Sequence, residues 1–147
     1  MKRGFTLLEL IIVIIILGVL ATLGLTQYGR MIERSRGAEA KSILGDIRKL
    51  AAAHYLEYGQ LTASGTIPAF NNTRASIGTG ADQIPSACTP SHYFSYAIGA
   101  PTATALTITA TRCTATGKPP QAATAGTLTL TSTISSGADS WAGTGGY

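Results

Sequence analysis

A chain of 147 residues with 45% apolar and 12% charged side chains has room for one small domain beside a membrane segment. Its formal charge of +4 includes Lys2 and Arg3, and without them nine basic residues face seven acids, too mild a balance to make specific nucleic-acid binding the expectation. With two histidines (His54 and His92), only Asp82 and Asp139 as acids beyond residue 58, and no phosphate loop, nucleophile elbow or carboxylate pair, the sequence predicts no enzyme, no metal site and no cofactor.

The chain opens on a nearly unbroken apolar run. Residues 5–25 are long enough, at 1.5 Å per helical residue, to cross a hydrocarbon core of about 30 Å. Glu9 is the one charge inside it. Thr6 and Glu9 have the spacing of a capping box, in which each side chain satisfies the other residue's free backbone N–H, and an acid in the first turn meets the positive end of the helix dipole. A charge inside a membrane segment tends to have a partner or a job, and that reading and the local one do not exclude each other. A secretory signal peptide fits less well, because its core would be uncharged and Thr22-Leu23-Gly24 is a mediocre cleavage site.

Without a proline the run continues into an amphipathic pattern over residues 26–58. Ala40, Ile43, Leu44, Ile47, Leu50, Ala51, His54 or Tyr55, and Tyr58 recur at steps of three and four, which predicts one apolar stripe on a helix. Arg30, Arg34, Arg36, Lys41, Arg48 and Lys49 are interleaved with Glu33, Glu39 and Asp46, the pattern of a solvated face or of helix-to-helix pairing. Gly59 stands where a left-handed helix end favours glycine.

Residues 60–92 read as a long connection broken by Pro68, Asn71-Asn72, Gly78, Gly80, Pro85 and Pro90. Residues 93–98, 105–112 and 126–134 then alternate apolar with Thr or Ser at period two, predicting three antiparallel strands. Leu106, Ile108 and Ala110 share one face, as do Leu128, Leu130 and Ser132, and the opposite face is lined with hydroxyls. The tail SSGADSWAGTGGY reads as loop, anchored by Trp141. Cys88 and Cys113, an even pair in the part beyond the membrane segment, predict one disulfide rather than a metal site. The fold class is therefore α+β: a long helix, apolar in its first half and amphipathic in its second, packed on a small antiparallel sheet of about three strands over residues 59–147.

The N-terminus resembles the type IV pilin and pseudopilin family. The likeness lies in the short basic leader MKRG over residues 1–4, the Gly4-Phe5 junction, Thr6, Glu9, the apolar run with Gly18, and Tyr28 after it. The resemblance implies cleavage after Gly4 by a membrane-bound prepilin peptidase, N-methylation of Phe5, and bundling of the apolar helices as a homo-oligomeric filament in which Glu9 meets the N-terminal amine of a neighbour. It implies an inner-membrane precursor handled by pilus or secretion assembly machinery, then an extracellular pilus or a periplasmic pseudopilus. A helix-kinking proline common in the family is replaced here by Thr26. The acid-poor tail favours a pilus subunit over a type II secretion pseudopilin, and a monomeric membrane-anchored binding domain is the reading of a different class.

Overall fold

A computed structural model describes residues 6–114, 118 and 125–147. The first element, α1, is a helix spanning Leu7–Tyr58. Contacts divide the chain into two units, Met1–Ile32 and Glu33–Tyr147. In the first unit, the large apolar side chains of the helix between Leu7 and Leu25 are each 42–77% exposed, and a Cβ added at Gly18 or Gly24 would meet nothing within 4 Å.

The second unit is built on the remainder of α1. Ala40, Leu44, Ile47, Ala51 and His54 are buried along one face, and Glu33 and Gly37 extend that face by alternating steps of four and three. Leu50 departs from the expected stripe. It lies about 100° away from Ala51 around the helix and is 43% exposed. The helix stops at Gly59, whose φ of 74° suits glycine and whose N–H donates to the Tyr55 carbonyl at 2.7 Å.

Two short strands, β1 (Ile77–Gly78) and β2 (Ile84–Pro85), pair in parallel within the connecting region. The main sheet is a meander of β3 (Phe94–Ile98), β4 (Ala105–Arg112), β5 (Thr127–Thr133) and β6 (Ala138–Gly143), antiparallel throughout and ordered as in the sequence. The alternation expected of the middle strands holds, with Leu106, Ile108 and Ala110 of β4 and Leu128, Leu130 and Ser132 of β5 turned inward. Their apolar members form one core with Ala40, Leu44, Ile47 and Ala51 of α1. Threonines pair on the other face: Thr107 with Thr131, Thr109 with Thr129 and Thr111 with Thr127.

Two expectations need correction. The tail is strand rather than loop: it pairs along β5 from Leu128↔Gly143 to Thr133↔Ala138 and adds a fourth strand to the sheet. Main-chain hydrogen bonding carries this strand, since Ala, Asp, Ser and Gly have little strand preference of their own. Trp141 does not anchor the tail, being 47% exposed; Tyr147 packs against the core instead, its ring edge-on to Phe94 at 5.4 Å. The connecting region also contributes more than linkage. Leu61, Phe70, Ala75 and Ile77 are buried in the core, and the Asn72 side chain accepts a hydrogen bond from Ile98 N–H at 3.0 Å.

Candidate assembly site and its support

The apolar helix carries its carboxylate at its very start. Glu9 Oε2 accepts hydrogen bonds from the Thr6 backbone N–H at 2.9 Å and from the Thr6 hydroxyl at 2.8 Å, while the Glu9 N–H donates back to Thr6 Oγ1 at 3.3 Å. This is the reciprocal capping box that the sequence predicts. It keeps a charged group hydrogen-bonded at the end of a helix whose remaining first half offers only hydrocarbon. Gly4 and Phe5, the expected cleavage and methylation positions, lie outside the described residues. A surface with this much exposed hydrocarbon needs a lipid or protein covering, because water alone disfavours it by about 25 cal/mol for each Å².

In the second unit a buried ion pair ties α1 to the sheet. Arg112, 1% exposed at the end of β4, donates from Nε to Glu33 Oε2 and from Nη2 to Glu33 Oε1, both at 3.0 Å. Arg36 donates to the same carboxylate, and the Tyr147 hydroxyl donates to Oε2 at 3.0 Å. The remaining Arg112 nitrogen, Nη1, donates to the Cys113 and Tyr93 carbonyls. Hydrogen bonds from Arg112 hold the Glu33 carboxyl below the usual range, outweighing the opposing effect of burial. Burial, with the Glu33 carboxylate, pushes the Tyr147 phenol up to about 12. Tyr93 offers its ring to Arg36 at 4.0 Å, Lys118 at 4.7 Å and Arg112 at 5.1 Å. Gly37 makes room for this cluster, since a Cβ there would stand 2.6 Å from the Tyr147 ring.

The sequence reading missed this cluster, although a signal for it was present. Arg112 continues the inward phase of Leu106, Ile108 and Ala110, and Glu33 lies seven residues before Ala40 on the buried stripe. Two opposite charges, each in a core phase, can only be paired with each other or left at great cost.

Cys88 and Cys113 form the expected disulfide, with Cα atoms 5.5 Å apart, and it ties the connecting region to the residue after Arg112. Replacing both cysteines by serine should lower stability by about 3–4 kcal/mol, because the bridge closes a loop of 25 residues in the unfolded chain. Denaturant titration of the full chain in detergent, with and without reductant, measures this; equal midpoints would show that the bridge contributes nothing. His54 takes the structural place expected of it, packed against Tyr58 at 4.7 Å and Phe70 at 5.6 Å, with neither ring nitrogen hydrogen-bonded among the described residues.

Residues 1–25 match a family profile described as the prokaryotic N-terminal methylation motif. The chain is 40% identical over 73 residues to a type IV major fimbrial protein FimA of Dichelobacter nodosus, covering 46% of this chain and 45% of that protein. It is 32% identical over 82 residues to a fimbrial protein of Neisseria meningitidis serogroup B, covering 56% and 44%, and 38% identical over 58 residues to the fimbrial protein EcpC of Eikenella corrodens, covering 40% and 38%. In each case the similarity spans less than half the length of the relative. No solved structure matches. The methylation motif and the fimbrial relatives together support a likeness of this chain to the type IV pilin family.

Proposed function

We propose that this chain is the structural subunit of a type IV pilus, made as a membrane-anchored precursor, cleaved after Gly4, methylated at Phe5 and polymerised through its apolar helix. The observation that carries this reading is a helix whose apolar side chains are exposed from Leu7 to Leu25 while its one carboxylate, Glu9, is held at the tip by Thr6. Lipid covers such a helix in the precursor; the helices of neighbouring copies cover it in the filament. Cleavage creates an amine at Phe5 that enters the same apolar environment, and the Glu9 carboxylate of an adjacent copy is the counter-charge it meets. The subunit is structural rather than enzymatic, and its assembly is an open series of heterologous contacts. Its partners are other copies, a prepilin peptidase and an assembly machinery in the inner membrane.

A pseudopilin of a secretion system would share this design. What favours the pilus is the tail, where the one acid, Asp139, is already engaged by Ser132 at 2.6 Å and Arg48 at 2.7 Å instead of being free for an external cation.

The test is mass spectrometry of filaments sheared from cells, which should give a chain beginning at N-methylated Phe5. An N-terminus at Met1 or near Thr26 would sink the assignment. Gly4→Leu should leave uncleaved precursor in the membrane and no chain in the sheared fraction, because a side chain at that position obstructs the peptidase; normal processing of this variant would place the cut elsewhere.

A further inference from the structure

Apart from Arg36, which bonds Glu33, and Lys49, which bonds Asp46, the charged residues of α1 beyond Glu33 fall on opposite flanks. At about 100° per residue, Arg34, Lys41 and Arg48 lie about 60–100° to one side of the buried stripe, counted from Glu33. Glu39, Asp46 and Glu57 lie about 120–140° to the other side, with the exposed Leu50 among them. Arg48 is committed within the chain, donating to Asp139 at 2.7 Å. Arg34 and Lys41 are exposed and have no ion-pair partner among the described residues; they line an open cleft of about 330 Å³ with Gly37, Ala38, Gly146 and Tyr147. Glu39 and Glu57 are exposed and equally unpaired, and Asp46 holds only the exposed Lys49.

We infer that a second copy of this chain docks on these flanks, Arg34 and Lys41 of one copy facing Glu39 and Asp46 of the next. This rests on the filament reading above. Charge complementarity selects the occupant. Both pairs repeat at seven residues, about 10.5 Å along a helix, so one register between parallel helices satisfies both at once. A surface basic on one flank and acidic on the other matches itself by translation, so each copy leaves both flanks of the series available for further copies. A two-fold arrangement would instead bring like charges together, which is disfavoured.

The experiment compares sheared filaments at equal membrane levels for four backgrounds. Arg34→Glu with Lys41→Glu makes both flanks acidic, and Glu39→Lys with Asp46→Lys makes both basic; each alone should lose filament yield by about tenfold or more. Expressed together, these two chains present matched flanks and should recover to within about twofold of wild type, as should the chain carrying all four substitutions, whose flanks are simply exchanged. The recoveries separate loss of docking from loss of folding. Wild-type yields from either double variant, or no recovery in both the mixture and the fourfold variant, would overturn the inference while leaving the filament reading intact. Absence of filaments from the wild type would overturn both.

Discussion

Arg112→Leu is expected to destabilise the second unit by about 3–5 kcal/mol, a large share of the stability of a domain this size. The cost comes from what remains: Glu33 would stay 7% exposed with its carboxylate facing an apolar side chain in place of two hydrogen bonds at 3.0 Å. Adding Glu33→Leu should recover much of the loss, because a buried ion pair replaced by apolar side chains of similar volume is often neutral in stability. Denaturation of the full chain in detergent, followed by near-ultraviolet circular dichroism, measures both. A single-variant loss under about 1 kcal/mol would mean that water reaches the pair.

The same cluster sets a pH profile. Glu33 has its folded pKa lowered, so its contribution is complete above the ordinary carboxylate value of 4.5 and is lost as pH falls through the lower folded value. Asp139, lowered by the Ser132 hydroxyl and then by Arg48, acts in the same direction. Tyr147 is raised, so its contribution is complete below its ordinary value of 10.0 and is lost as pH climbs toward about 12. Stability should therefore fall at both extremes, with the alkaline arm reduced but not abolished in Tyr147→Phe, because burial also raises the Tyr96 phenol.

The second large effect belongs to Glu9→Gln. Glutamine keeps a carbonyl oxygen that the Thr6 N–H and hydroxyl can use, so the helix cap survives. Insertion becomes slightly easier without the charge. In a filament, however, the Phe5 amine of the neighbour would sit in hydrocarbon without a counter-charge, at several kcal/mol for each subunit. Normal membrane levels, normal cleavage and a nearly empty sheared fraction are expected. Equal filament yields at equal membrane levels would assign Glu9 to capping alone.

Much of this architecture was legible because periodicity reports burial. The steps of three and four in α1 and the period-two alternation of β4 and β5 placed Leu44, Ile47, Ile108 and Leu130 in the core before any coordinates. Thr6 and Glu9 were legible for a different reason: a capping box is local, closed within three residues. What escaped was what depends on distant partners. Apart from Trp141, nothing in Ala-Asp-Ser-Trp-Ala-Gly favours a strand, and β6 exists because β5 offers it an edge. The Glu33–Arg112 pair escaped because charge was read as exposure, when phase along the helix and strand pointed inward. Trp141 drew attention by size, yet Tyr147 has the hydroxyl that reaches Glu33.

The meander of β3 to β6 carries a consequence for the order of events during biogenesis. Each strand pairs with its immediate successor in the sequence, so the sheet closes only short loops as it forms. The clasps that fix α1 do the opposite, since Glu33 waits for Arg112, 79 residues away, and for Tyr147, 114 residues away. These separations predict that the sheet forms first and that the amphipathic part of α1 docks onto it last. Until then the amphipathic part of α1 remains undocked, and it would be the slowest segment to gain protection in pulsed hydrogen exchange.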